Sequence, residues 1–437
     1  MTTESLPPIN LHAAGIDIGS QKRFVSTRPA HVAAYESFTA SLLLLREDLR
    51  AAGVRTVAME ATGVLWVPLY AILEEAGLEV CLVNGAHAKN VPGRKSDVLD
   101  CQWLQQLHSY GLLRPSFIPE ETLPQLRAYV RLRDGHIASG PRCINQMQQA
   151  LELMNVKLHQ VITQIHGTRG RAIIEAIIKG ERAPERLADL CQQQILKNKR
   201  ALVVQSLEGH YRAEHVFALE QGYACWQFYQ EKIHECHEQI GALLEALTEQ
   251  LPVPEQTRPP KPIRHHKPEV DDLHGKLMRL TGGRDPSQLC GLTDVTLLKL
   301  VSQVGTDMTK WPTEKHFTSW LGLAPGTHQS GKHRRRRGKR VTWRAGQIFR
   351  ERAQSRARSK HLALGAFYRR KKGHRGPGIA MKATARKLAV LFYRLMRYGW
   401  DYVEQGVEAY EAQQREEQVR WLKKRAHRLG FAVVTAS

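Results

Sequence analysis

The sequence has no paired-cysteine motif, no long apolar run and, over one stretch of seventy residues, almost no acid. Its seven cysteines (Cys81, Cys101, Cys143, Cys191, Cys225, Cys236, Cys290) are scattered and never form a CxxC pair. That excludes a disulfide framework and a zinc ribbon, and the thiols are read as reduced and mostly buried. The longest apolar runs, Leu42–Leu45 and Leu388–Tyr393, fall far short of the ~20 residues that a membrane-spanning helix needs. The opening MTTESLPPIN has neither the charged nor the apolar region of a signal peptide, so a cytoplasmic location is expected. What is present suits a folded chain: 437 residues, 42% hydrophobic, 24% charged and 7% aromatic, room for two or three domains at ~150 residues each.

The charge is unevenly placed. Sixty-four Lys and Arg against 42 Asp and Glu leave a net +22. Residues 331–400 hold 23 Lys and Arg and a single acid, Glu351, so this segment carries the whole excess while the rest of the chain sums to zero. Charge kept for solubility is spread out. A concentrated cationic block instead points to a polyanion, nucleic acid before an anionic membrane surface. Lys332, Arg334, Arg335, Arg336, Arg337, Lys339, Arg340 and Arg344 form its densest part and are the candidate nucleic-acid-binding residues. A solvated face or a localisation signal is the competing reading of such a run.

Along the chain, the first hundred residues alternate strand-like segments (His12–Ile18, Phe24–Thr27, Val54–Met59, Leu78–Val83) with helical ones (Ser41–Leu49, Trp66–Ala76), which predicts an α/β domain with a mixed sheet. Two apolar seams with alternating steps of three and four follow. One runs from Ile144 through Met147, Leu151, Met154 and Leu158 to Val161, the other from Trp226 to Leu247. They read as coiled coil or, equally, as amphipathic helices packed within one chain. Residues 252–268 contain six prolines and no apolar period, which predicts a stiff extended linker and a domain boundary. Helices are expected over Leu292–Val304, Trp311–Leu321, Trp343–Ser355, Leu362–Lys371 and Lys382–Tyr398, with a polar loop over Thr327–Arg340. The expected division is a catalytic domain over 1–140, a helical coiled-coil region over 141–251, a proline-rich linker over 252–270, a mostly α basic domain over 271–403 and a charged helical tail over 404–437.

Four acids stand out by placement. Asp17 ends an apolar strand and is followed by Gly19, Glu60 ends the VRTVAM strand and is followed by Gly63, and Asp97 and Asp100 lie three apart on one helix face. Carboxylates that converge can ionise together only around divalent cations, and Mg²⁺, with its oxygen ligands, is the expected guest. Two such ions could clamp the attacking and leaving oxygens of a phosphodiester. Each acid also has a plainer reading: Asp17 in a turn, and Ser96 with Asp97 and Asp100 as a helix cap and dipole-complementing first turn. Ser330, beside Gly331 and among Lys332 and Arg334–Arg337, could attack phosphorus, or could be a hydrogen-bonded turn residue.

The strings GIDIGS, AMEATG and VPGRKSDVLDCQWLQQLHSYGLL, followed by GTDMTKWPTEKHFTSWLGLAPG and SGK, resemble the DEDD transposases of the bridge-RNA-guided insertion-sequence family over roughly residues 12–400. The resemblance implies a ribonuclease H-like (RuvC-like) N-terminal domain whose Asp17, Glu60, Asp97 and Asp100 are catalytic and hold Mg²⁺. It also implies a helical coiled-coil middle that joins protomers into a dimer or tetramer, and a mostly α basic C-terminal transposase domain with Ser330 as nucleophile. Donor DNA, target DNA and a structured guide (bridge) RNA are the implied partners, and a bacterial or archaeal, nucleoid-associated setting the implied location. The serine loop reads Gln329-Ser330-Gly331-Lys332, without the second glycine usual in the family, and CGLTDVTLL is poorer in glycine than the corresponding stretch.

Two other functions compete with an RNA-guided recombinase working through a serine–DNA covalent intermediate. One is a metal-dependent, structure-selective nuclease of resolvase type, in which Ser330 is structural. The other is a non-catalytic nucleic-acid binder whose carboxylates are helix caps. Appearance of rejoined strands, or retained binding without cleavage in Mg²⁺, separates them.

Overall fold

The computed structural model describes residues 7–28, 31–61, 63–83, 96–113, 115, 123–191, 193–255, 258–263, 265–325, 328–330, 333–335, 343–357, 359, 363–400 and, near the end, 415–416, 419–420, 422–423 and 425–432. Two compact units divide between Ile118 and Pro119.

Unit 1 opens with β1 (Ala13–Ile18), β2 (Lys22–Arg28) and β3 (His31–Glu36), then α1 (Thr39–Ala51), β4 (Thr56–Glu60), α2 (Val67–Glu75), β5 (Glu79–Val83) and α3 (Asp97–Ser109). The strands form one mixed sheet in the order β3-β2-β1-β4-β5. β1 is antiparallel to β2 and parallel to β4, and β4 is parallel to β5. This mixed sheet is consistent with a ribonuclease H-like domain. Central β1 and β4 are almost wholly buried, as their unbroken apolar runs require, while β3 is a half-exposed edge whose mixed HVAAYE gave no strand signal in the sequence. Leu42, Leu45, Leu49, Leu69 and Leu73 of α1 and α2 pack with Ile16, Val57, Met59 and Leu82 to form the main core. The opposite face belongs to α3, whose Leu104 joins Ala58, Cys81 and Val83.

Two polar bolts and a glycine fix α3 on that face. Gln105 donates to the Ala13 carbonyl at 3.4 Å, and His108 Nε2 lies 2.8 Å from Thr56 Oγ1. A Cβ on Gly15 would overlap the α3 backbone at Cys101 and Gln105, so only glycine lets helix and strand come this close. Both bolts sit at the strand starts and the C-terminal half of α3, so the helix runs back along the strands toward their C-terminal ends. From Gln105 to Asp97 the helix rises ~12 Å, and from Ala13 to Asp17 the strand advances ~13 Å.

Among its described residues, unit 2 is helical apart from one short hairpin. Its elements are α4 (Leu123–Leu153), α5 (Thr168–Ile178), α6 (Pro184–Asp189), α7 (Gln193–Ser206), α8 (Ala213–Thr248), α9 (Leu273–Leu280), α10 (Asp294–Val304) and α11 (Glu314–Trp320), then β6 (His328–Ser330) and β7 (His333–Arg335), then α12 (Arg344–Ala357), α13 (Ala363–Arg375) and α14 (Pro377–Tyr398). The long helices α4 and α8 pack lengthwise on each other within the chain. Met147 and Leu151 meet Leu219, Tyr223 and Trp226 there, joined by Ile173, Ile174 and Ile177 of α5. The apolar seam expected to run as helix from Ile144 to Val161 does so only to Leu153, where Asn155 at φ 59° breaks the backbone and Leu158 follows in a 3₁₀ turn. Met154 and Leu158 are nevertheless buried in the same core, so the apolar period reported burial beyond the helix end.

The proline-rich stretch lies within unit 2 and is strapped to it. Lys261 donates to the carbonyls of Ser287 and Leu289 at 2.8 and 2.9 Å, and His274 bridges the Arg258 carbonyl (2.9 Å) and Asp294 Oδ1 (2.9 Å). In the stretch read as a loop, β6 and β7 form a hairpin. The tail from 404 lies mostly outside the described residues.

Candidate active site

Because strand side chains alternate, Asp17 shares the face of Gly15 and Glu60 shares that of Ala58, and this is the face covered by α3. β1 and β4 pair in parallel up to Ile16–Met59, so Asp17 and Glu60 follow side by side at the strand ends. Asp97 and Asp100 occupy the first turn of α3, which the Ser96 side chain caps by accepting from the Leu99 amide at 3.3 Å. The cap and dipole reading of these acids therefore holds in the backbone, and the same turn also faces the strand ends.

The electrostatics show the convergence. Burial, and then the charges of Asp97, Asp100 and Glu60 in that order, push the Asp17 carboxyl from the usual 3.8 up to about 6. Three carboxylates from two other elements thus bear on Asp17 and disfavour its charged form. An all-carboxylate donor set is the hard oxygen environment that Mg²⁺ takes.

One contributor had no sequence signal. Arg23 of β2 is 4% exposed, donates to the carbonyls of Gly19 and, at 3.4 Å, Leu65, and feels the charge of Asp17. It ties together the segments that follow the Asp17 and Glu60 strands. Its Nε is buried without a hydrogen-bond partner. A lone arginine in a strand reads as an exposed edge residue; its role follows only from the register that sets it across from Ile18.

Among the described residues, one group of three possible metal ligands has its ligand atoms within 4.8 Å of one another: His234, His237 and Glu269. The four acids are close enough for their charges to act on Asp17 but do not form such a group. In the His group, Arg133 Nε donates to His237 Nε2 at 2.8 Å and the Glu269 backbone amide donates to His237 Nδ1 at 3.3 Å. Burial and the nearby Arg133 hold His237 down at about 4, so it is a neutral packing residue.

Ser330 ends β6, and its backbone pairs with His333 across the hairpin. It belongs to unit 2, the four acids to unit 1. Arg334 and Arg335 lie in β7, and Arg344 opens α12 with its side chain exposed. Lys332, Arg336, Arg337, Lys339 and Arg340 lie outside the described residues.

Comparison with known families locates two matches. Residues 14–156 match the DEDD transposase model of IS110 type, and residues 287–369 match the model described as transposase, IS116/IS110/IS902 family; together they span more than half of the chain. Asp17, Glu60, Asp97 and Asp100 all fall in the first match, and Ser330 with the arginine run in the second. No curated protein matches the chain. Among the described residues no helix is long and apolar enough to cross a membrane.

Proposed function

Given that the chain belongs to the IS110 family of transposases and is thereby a DNA transposase, we propose that it cuts and rejoins donor and target DNA through a covalent Ser330–DNA intermediate, with Asp17, Glu60, Asp97 and Asp100 holding Mg²⁺. The observation that carries this reading is the displacement of Asp17 to about 6 by its burial and three neighbouring carboxylates. When bound, Mg²⁺ supplies charge neutralisation and polarises the phosphodiester oxygens.

The chain's own residues do the rest. Asp17 and Glu60 are presented by buried strand ends, and Asp97 and Asp100 by a capped helix bolted to those strands, so the ligands are held on rigid elements. Arg23 keeps the two strand-end segments together and offsets part of their negative charge. Ser330 Oγ forms the new P–O bond as its proton leaves, the bond to the departing strand breaks, and that oxygen is protonated. Reversal with another strand end rejoins the DNA, and since one phosphodiester is exchanged for another, no ATP is needed.

A structured bridge RNA, pairing with donor and target, is proposed as the source of sequence choice, and the +22 of residues 331–400 supports it by offering more cationic surface than a short duplex contact uses. Association of two or four copies through the long helices belongs to the same proposal and is read by the mass of the assembly in solution.

Incubation with donor DNA and Mg²⁺, followed by denaturing electrophoresis, tests the chemistry. A protein–DNA adduct mapping to Ser330 and absent in Ser330→Ala is expected. Cleavage with water as nucleophile and no adduct would make the protein a nuclease instead. Sequencing of co-purifying RNA, then change of its loops alone, tests guidance: insertion that ignores those changes overturns it.

A further inference from the structure

Two adjoining cavities of about 720 and 390 Å³ lie in unit 2 between α4, α10 and α12, and share Ile137, Lys299, Ile348 and Glu351. Six cations line this trough: Arg131, Arg133, Lys299, Arg344, Arg352 and Arg356. Only two acids face them, Asp134 and Glu351. Asp134 is committed, at 2.7 Å from Lys299 Nζ and 3.7 Å from Arg133. Arg133 is further satisfied by the His266 carbonyl at 2.6 Å and by His237.

Glu351 makes no ion pair with the other four, which outnumber it. Among the described residues, none of Arg131, Arg344, Arg352 and Arg356 has an ion-pair partner. Arg131 finds only the neutral Gln303 amide, at 2.7 Å, and Arg352 Nε is buried without a hydrogen-bond partner. The crowding reaches the next turn of α4: burial, then the charge of Arg131, pushes Arg127 down to about 10, and burial and Arg344 lower Arg131 in turn. A guanidinium cannot shed its proton near neutral pH, so cations gathered this way need anions from outside. The walls between them are mixed, with Ile137, Ile348, Pro262, Ile263 and Val295 beside Thr293 and Thr296. Alternating charge and apolar surface over two connected cavities suits a polymer of phosphates, sugars and bases better than a small anion, which would occupy one cavity and leave the other unneutralised.

We propose that this trough is a binding track for a single nucleic-acid strand, with phosphates on Arg131, Arg344, Arg352 and Arg356 and sugars or bases against Ile137 and Ile348. The assignment rests on the transposase reading for the class of its ligand, and adds a place that lies largely outside the Lys332–Arg344 run. DNA and RNA strands share the chemistry, and the two arms of the test distinguish them.

Binding of a labelled single-stranded DNA and of an RNA of equal length to the full chain is measured against salt concentration. Neutralising the four arginines (R131Q, R344Q, R352Q and R356Q together) should lower affinity at least ~100-fold at low salt and reduce the slope of log K against log salt by about 3, since each strand phosphate contributes ~0.7. Whichever strand loses more is the occupant. The fourfold Arg→Lys variant should keep the wild-type slope, which separates lost charge from lost folding. Neutralising Arg186, Arg200 and Arg212, each already beside an acid, should leave the slope in place. Wild-type affinity and slope in the fourfold Gln variant would overturn the trough and leave the transposase reading standing; a wild-type chain that binds neither strand would overturn both.

Discussion

At the ends of β1 and β4, burial and three neighbouring carboxylates drive Asp17 up to about 6, whereas between α4, α10 and α12 guanidinium groups crowd together and stay charged. The difference lies in the chemistry of the groups. A carboxylate can relieve repulsion by taking a proton, at the loss of its value as a metal ligand; an arginine can only be compensated or left waiting. On the proposed roles, the state of the acid cluster depends on pH and divalent cation, and that of the arginine cluster on salt. A third cluster carries both signs. His274 between Asp294 and Asp285 is pushed down by burial and up, more strongly, by its bond to Asp294 and by both aspartates, so it moves upward.

Ways to break this contrast begin with the largest effect. Replacing Asp17 or Asp97 by Ala should reduce strand cleavage by ~10³-fold or more, about 4 kcal/mol in the barrier, with nucleic-acid binding retained, as quantitative gel assays would report. Normal recombination by either variant would end the metal-site reading. Next comes Gly15→Ala, which forces α3 off β1 and should destabilise unit 1 by ~3 kcal/mol or more in denaturant titration. If the protein survives, the Asp17 carboxyl should fall back toward its ordinary value, because Asp97 and Asp100 move away with the helix.

A sharper test uses pH alone. The folded carboxyl of Asp17 titrates at about 6 against an ordinary 3.8, so its contribution to stability is complete below about pH 4 and is lost as pH rises through 6. Asp17→Asn should therefore be more stable than the wild type at pH 8, by at most ~3 kcal/mol, and equal to it near pH 4. Mg²⁺ should raise the wild-type melting temperature at pH 8 and hardly at pH 5. No stability difference at pH 8 would show that the acids do not press on one another. The smallest effect is the opposite case: a raised His274 stabilises below pH 6.5 and ceases to as pH rises through its folded value, so His274→Gln should cost about 1 kcal/mol at pH 5.5 and less at pH 8.5. An equal cost at both values would mean that His274 acts through packing only.

The acids could be proposed from the sequence because each carries a local mark: a strand followed by glycine, or a three-residue spacing behind a serine cap. The same marks could not show that Asp17 and Glu60 share a face with α3, which needs the parallel register of β1 and β4. Arg23 and Gly15 were invisible for that reason. The trough leaves no local mark because its residues come from segments far apart in sequence; Arg131, for example, donates to the Gln303 side chain across 172 positions, and the α4 arginines lie outside the cationic block. The seam that ended early at Leu153 shows the converse, a pattern that marked the core and overshot the helix.

Among the described residues α3 is the last element of its unit, and it carries two of the four acids. During synthesis the strands that bear Asp17 and Glu60 leave the ribosome first, and they can pair before residue 97 has been made. A chain interrupted there carries two acids and lacks the helix that confines them, so a truncated product is deprived of the full constellation while the +22 segment that would hold it to nucleic acid is also still untranslated. On the proposed roles, the order of the elements along the gene separates them in time: the acids of α3 are made after those of the strands, and the cationic segment later still.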